Sequence, residues 1–549
     1  MGILIKNGLI IDGRGVSGIE ANILIQGDKI SRISPNIKEN GHRIIDARGK
    51  IVSPGFIDIH NHADLTILEA NKAEAFVEQG ITTLLACVCG IGVAPANEKV
   101  KQYYFDFVNK AFCSSPDLYE NMSKFHEALE KKGVSINLAF MIPQGNVRAC
   151  IMGTDTRPAN ESELNEMRKI VRENMKAGAF GLSTGLVYPP GSSTSTEELI
   201  EISKIVSEYN GFYDSHMRNE GAGVIEIGMN ELIRIAREAN VRAHISHWSV
   251  ISRYKYEELT NEAINLVNSV REEGLNITAD LTVYDDGFTS LSFVLLPTWV
   301  YDDFEGNLSN PEIRKRIKKE IFDKLYSMFL SDAPFSMKII PKFLLRKKII
   351  PLLSKGVIVI YALKNHEIEG KTLYEILSTL YPEKELEDAL LDYFLDEEGG
   401  IMIRIQQKNE DLSMIPLFKQ EYVSPSSDAI LILGRNTHPR AFGAFPRVIA
   451  RWVREQKLFS LEEMIRKMTS LPASILGLSD RGIIQEGKKA DIVIFDLEMI
   501  NERGTLKNGC QPPIGIDHVI INGQITVLKG KHTGTLNGQI LKHIRQNVD

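Results

Sequence analysis

Phe56-Ile57-Asp58-Ile59-His60-Asn61-His62-Ala63-Asp64 is a short apolar run that ends in two histidines. Side chains along a strand alternate between its two faces, so His60 and His62, spaced i, i+2, project to the same side. Two imidazoles at the mouth of an anchored strand can hold one divalent metal ion. The pattern His-x-His is also common in ordinary strand-end loops, so the other donors must be sought along the chain.

Outward from this stretch the sequence alternates short apolar runs with longer amphipathic segments. Candidate strands are 56–60, 83–87, 137–141, 180–183, 211–214, 242–245, 276–280 and a weaker one ending near Ser427-Asp428. Helical periodicity covers 161–177, 197–209, 224–239 and 260–273 between them. Eight strands separated by helices predict an α/β fold, a (β/α)8 TIM-like barrel. An open doubly wound sheet is the alternative, but no Gly-rich dinucleotide or phosphate loop follows any strand. The run from about 300 to 415 is too long for a single crossover and reads as an insertion that covers the barrel mouth.

Both ends of the chain have a different texture. Short β-like runs carry Asn7-Gly8, Asp12-Gly13 and Gly27-Asp28, dipeptides that signal hairpins. Similar runs return only at 490–496 and 518–524, which predicts one small β-sandwich built from both termini. The expected division is 1–54 and 483–549 for that sandwich and 55–482 for the barrel.

Composition narrows the function classes. With 549 residues, 43% of them hydrophobic, and a net charge of -7, the chain has material for a large domain plus a small one. Lysine and arginine read as scattered, so neither nucleic acid nor a membrane is an expected partner. No apolar run reaches the roughly 18 residues of a spanning helix, and the start lacks a signal-peptide pattern. Five cysteines, at 87, 89, 113, 150 and 510, are few and irregularly spaced, which argues for a reducing cytoplasm.

Reactive groups in such a barrel sit where its strands end. Strand one ends in His60 and His62, strand two in Cys87-Val88-Cys89-Gly90, and strand five in Asp214-Ser215-His216. Strand six ends in Ser246-His247 and strand eight in Ser427-Asp428. Each piece alone has a blander reading, a buried thiol or a hydrogen-bonded core histidine. Their joint placement supplies the ligand types for one or two Zn²⁺ ions. His244 fits a structural role.

The chain resembles the amidohydrolase superfamily, and within it the N-acyl-D-amino-acid deacylase (D-aminoacylase) family. The resemblance rests on PGFIDIHNHAD (54–64), GITTLLACVCGIGVAP (80–95), AGAFGLSTGLVYPPG (177–191), DSHMRNEG (214–221), ISHW (245–248), HPRAFGAFPRVIARWVRE (438–455), KKADIVIFD (488–496) and INGQITVLKG (521–530). It implies a barrel of the metal-dependent hydrolase type, with Cys89 as a bridging thiolate. Cys89, His216 and His247 would form a tight zinc site, His60 and His62 a weaker second one, with Asp428 as catalytic acid/base. It further implies that Tyr284 and Arg440 hold a substrate carboxylate.

Several recognition positions depart from the family pattern. A lysine is usual where Ser249 stands, and histidines where Trp248 and Gln144 stand. Thr282-Val283 replaces a Tyr-Pro, and Ala429 a glycine. Exchanging lysine for Ser249 removes a charge-assisted hydrogen bond worth about 1.5–3 kcal/mol where desolvated. The expected function is zinc-dependent hydrolysis of a linear amide, deacylation of an N-acyl-D-amino acid or related N-acylated compound. The alternatives are a cyclic amidohydrolase of hydantoinase or dihydropyrimidinase type, disfavoured because strand four has no lysine, and a non-catalytic scaffold. The expected partner is a small-molecule N-acyl substrate, and homo-oligomerisation stays open.

Overall fold

The computed structural model describes residues 2–543 apart from 40, 105–107, 110–113, 285, 331–332, 334–337 and 407–413. Cys113 therefore lies outside the described residues. The first five strands, β1 (Ile3–Ile10), β2 (Ile19–Gln26), β3 (Lys29–Ser34), β4 (Arg43–Asp46) and β5 (Ile51–Pro54), belong to one sheet. Asn7-Gly8 does not turn the chain there. Strand β1 runs through it with a bulge between Ile5 and Gly8, and Asn7 takes a φ of 62°. Ahead of the bulge β1 pairs with β4, and beyond it with β5. The extra residue re-aims the strand from one neighbour to the next.

The barrel follows. Its strands are β6 (Phe56–Asp58), β7 (Ile81–Ala86), β8 (Asn137–Phe140) with its continuation β9 (Ile142–Pro143), β10 (Gly181–Gly185), β11 (Phe212–His216), β12 (Arg242–Ile245) and β13 (Ile277–Thr282). All are parallel to their neighbours, and most are buried along their whole length. Burial on both faces is why they read as continuous apolar runs rather than as alternating ones. Amphipathic helices such as Glu161–Lys176 and Thr196–Glu208 lie between them. Each of these two starts in a capping box, Asn160 with Glu163 and Ser195 with Glu198, which satisfies two orphan backbone donors.

After β13 the chain leaves the barrel at once. Strands β14 (Asp286–Ser290), β15 (Val357–Ala362) and β16 (Ile401–Gln406) form a separate antiparallel sheet in the order β14-β16-β15. The helices Pro311–Leu330, Lys342–Ser354, Leu373–Leu380 and Leu386–Asp396 accompany it. The excursion reaches the mouth through β14 and the short helix Leu291–Leu295. The Arg440 guanidinium carbon sits 5.3 Å above the Phe288 ring centre, and Phe293 stacks on Tyr188 at 5.2 Å.

Strand β17 (Val423–Ser426) returns to pair with β13. It then closes the ring against β6, where the Asp428 amide donates to the His60 carbonyl (2.8 Å) and the His62 amide to the Ala429 carbonyl (2.9 Å). On the other side the Phe180 amide donates to the Phe140 carbonyl, so β8 and β10 are also joined. With β8 and β9 as one interrupted strand, eight strands complete the barrel.

The last strands, β18 (Ile492–Phe495), β19 (Ile516–Ile521), β20 (Gln524–Leu528) and β21 (Lys531–His532), extend the first sheet to nine, with β18 lying antiparallel on β5. Ile5, Ile23, Ile25, Ile492, Ile494 and Ile520 fill its own apolar core. Among the described residues no helix is long and apolar enough to cross a membrane.

Candidate metal centre

The ends of β6 and β17 are lashed together by Asp58. Its carboxylate accepts from the Ser427 amide (3.0 Å), the Ser427 hydroxyl and the His60 amide (3.3 Å). This pins the segments carrying His60, His62 and Asp428 to one another. Asp58 is fully buried, as are His60 and Cys89 within a few per cent.

Cys89 is the hub. Its Sγ lies 3.3 Å from His60 Nε2, 3.5 Å from His247 Nε2 and 3.7 Å from His216 Nδ1. Burial opposes a charged thiolate there, but the imidazoles of His60, His216 and His247 outweigh it and hold the thiol well below its usual range. Asp428 faces the other histidine pair. Its Oδ1 is 3.5 Å from His62 Nε2 and 3.8 Å from His60 Nε2, while Arg440 Nη2 approaches its Oδ2 at 2.9 Å. Burial would favour the neutral acid, yet Arg440 and His62 keep Asp428 below the usual carboxylate range.

These donors fit a divalent cation. A tetrahedron with metal–sulfur bonds of about 2.3 Å and metal–nitrogen bonds of about 2.0 Å has S···N edges of about 3.5 Å, which is the spacing around Cys89. Ligand atoms of His60, Cys89 and His247 lie within 4.8 Å of one another, as do those of His60, His62 and Asp428. His60 thus stands between the two groups. Thiolate with imidazole is a donor set that suits zinc.

The predicted metal ligands His60, His62, Cys89, His216 and His247 and the predicted acid/base Asp428 all come together, and Arg440 joins them through Asp428. Two other predicted positions face elsewhere. The Tyr284 hydroxyl donates to Glu502, with the Arg447 guanidinium 4.4 Å from its ring centre. Ser249 hydrogen-bonds Glu220. Gln144 is buried and donates to Thr194 Oγ1 (2.9 Å), and Trp248 stacks on Tyr422.

Three residues at the site are absent from the sequence reading. Asp280, at the end of β13, lies 3.2 Å from His60 Nδ1 and 3.1 Å from His244 Nε2, and so holds the face of His60 opposite Cys89. Glu220 lies 3.1 Å from His247 Nδ1. The Tyr188 hydroxyl is 3.5 Å from His216 Nδ1. The available signal was positional: a carboxylate on a strand end, one four residues after His216, and a tyrosine just past strand four.

Comparison with known proteins agrees with this architecture. A family model described as "Amidohydrolase family" matches residues 423–527. The chain is similar to a D-aminoacylase of Alcaligenes xylosoxydans xylosoxydans, 28% identical over 98% of this chain and 97% of that protein. It superposes on a D-aminoacylase structure concerned with a binuclear metal centre with a TM-score of 0.79, at 25% identity over 98% of this chain and 99% of that one. It has the fold of an N-acyl-D-glutamate deacylase from Bordetella bronchiseptica complexed with zinc and a phosphonate inhibitor, with a TM-score of 0.78 and 24% identity over 99% of both chains. A D-hydantoinase from Bacillus sp. AR9 is more distant, with a TM-score of 0.53 and 15% identity over 99% of both chains.

Proposed function

We propose, from the premise that this chain belongs to the amidohydrolase superfamily and within it to the D-aminoacylase family, that it hydrolyses a linear amide, releasing the amine of an N-acyl-D-amino acid or a related N-acylated compound. The observation that carries this reading is the meeting of one thiol, four imidazoles and one carboxylate at the ends of five barrel strands. Cys89, His216 and His247 would hold one zinc ion tightly, and His60 and His62 a second more weakly. When bound, zinc lowers the pKa of a water molecule towards about 7 and polarises a carbonyl.

The chain's own residues do the rest. Asp428 is ionised at neutral pH and takes the proton of the attacking water, then returns it to the departing nitrogen, a role that requires hydrogen-bond reach to both. Arg440 presents a planar fork that now rests on Asp428. A substrate carboxylate offers the same kind of partner, so a bound substrate takes Arg440 over and leaves Asp428 free to face the amide. The Tyr284 ring meets His438, two residues before Arg440, edge-on at 5.1 Å, while Ser249 stands behind the histidines through Glu220. The cyclic-amide reading is weaker, because β10 carries no lysine and the hydantoinase likeness is more distant. The sparse cysteines support a reducing cytoplasm as the site of action.

The test is Asp428→Asn. Turnover of an N-acetyl-D-amino acid should fall by about 10²–10⁴-fold while bound zinc stays near the wild-type amount. Full turnover, or loss of zinc, would remove Asp428 from the acid/base role.

A further inference from the structure

Glu220 is a largely enclosed carboxylate, its side chain 12% exposed, that the proposed reaction does not use, and it lies behind both histidines of the thiolate site. The two rings are presented in opposite senses. His247 turns Nε2 to Cys89 Sγ (3.5 Å) and Nδ1 to Glu220 Oε1 (3.1 Å). His216 turns Nδ1 to Cys89 Sγ (3.7 Å) and Nε2 towards Glu220 Oε2, at 4.0 Å. One carboxylate thus faces the far nitrogen of both rings.

An ionised carboxylate accepts hydrogen bonds and donates none. A ring whose far nitrogen gives its proton to Glu220 keeps a lone pair on the nitrogen facing Cys89. Glu220 is itself held in place: the Ser249 hydroxyl bonds its carboxylate, and its carbonyl accepts from the Ile251 amide at 2.6 Å. We propose that Glu220, backed by Ser249, is a positioning residue that fixes the tautomer of His247, 3.1 Å away, and so sets the affinity of the thiolate site for its ion. The assignment rests on the reading that this pocket holds a divalent ion. It gives Ser249 a place in the metal centre rather than on the substrate.

The test is a chelator competition for zinc on the purified holoprotein, comparing wild type with Glu220→Gln and Ser249→Ala, with a thermal melt of each. Glutamine keeps the shape but offers the His247 N–H a neutral acceptor in place of a charged one. Glu220→Gln should bind zinc 10–100-fold more weakly, as is usual when the outer partner of a ligand histidine is lost. Ser249→Ala should weaken zinc several-fold without changing the melt of the metal-free protein, and it carries the test if the glutamine variant does not fold. Zinc affinity within twofold of wild type in a folded Glu220→Gln, or failing that in Ser249→Ala, overturns the assignment while leaving the metal site standing. A wild-type protein that takes up no divalent ion overturns both together.

Discussion

Four non-glycine residues of the metal centre or its approach adopt left-handed backbone: Cys87 (φ 60°), Cys89 (φ 53°), His247 (φ 32°) and Asp428 (φ 45°). Such a conformation costs an L-residue about 1–2 kcal/mol. Buried surroundings hold it here, as with Asp58 gripping Ser427 beside Asp428. Nothing in the sequence announces that strain. What was legible was scarcity, because histidine and cysteine are rare and fell at strand ends, whereas Glu220 and Asp280 are one acid among many. Arg440 can be tested directly. Arg440→Lys gives up the planar fork, and loss of a charged hydrogen bond worth about 1.5–3 kcal/mol lowers kcat/KM about 10–100-fold for an N-acyl-D-amino acid. An equal loss on the corresponding uncharged amide would mean that Arg440 does not read the carboxylate. Away from the site, His126 is buried against Phe140 and neither ring nitrogen has a hydrogen-bond partner. Burial pulls its pKa from 6.5 down to about 4. Below pH 6.5 the unfolded chain takes up a proton that the folded one refuses. Stability therefore falls between about pH 6.5 and 4, by up to about 3 kcal/mol. In denaturant melts across that range, His126→Leu should flatten this part of the curve.

At the scale of elements, the dipeptide Asn-Gly meant two different things. Asn7-Gly8 makes a bulge, and a side chain on Gly8 would meet Val52 Cγ2 at 2.5 Å. Asn522-Gly523 makes the turn between β19 and β20, with φ of 46° and 76°. Two consecutive left-handed residues suit a two-residue hairpin. Local sequence could not separate the two cases, because the choice depends on β4 and β5, which present β1 with two successive partners. A Cβ on Gly523 would lie 2.0 Å from the Gly27 carbonyl oxygen, so Gly523→Ala combines left-handed strain with a clash against backbone. Stability should drop by at least about 1–2 kcal/mol, read as a lower denaturant midpoint with the slope unchanged. A variant as stable as wild type would mean that this turn relaxes freely. The excursion after β13 was legible as an insertion, but its start was not. Strand β14 begins only four residues after β13 ends, and what marks it as part of the excursion is its antiparallel partner β16, more than a hundred residues later.

Across the whole molecule, the metal centre is a product of barrel closure. Its donors are spread from His60 to Asp428 and meet only because β17 returns to β6 after the long excursion. Residues 539–543 also pair with the barrel: the Leu541 amide donates to the Leu138 carbonyl on the edge of β8, and His543 reaches the Tyr209 carbonyl. That strap was invisible in sequence, since a tail pairing with a strand some 400 residues earlier leaves no local pattern. The fold class and the donor set were readable because repeated strand–helix units and rare ligand residues both survive in one dimension. The pairing of Tyr284 with Glu502 and of Ser249 with Glu220 was not, because it depends on three-dimensional neighbours. If metal held by these donors is required for amide hydrolysis, turnover must follow the metal. Zinc content and amine release from an N-acyl-D-amino acid, measured on the purified chain before chelation, after it and after zinc is returned, test it most directly. At least one tightly held zinc per chain, loss of turnover on its removal and recovery on its return are expected. Undiminished turnover by the metal-free protein would contradict the requirement.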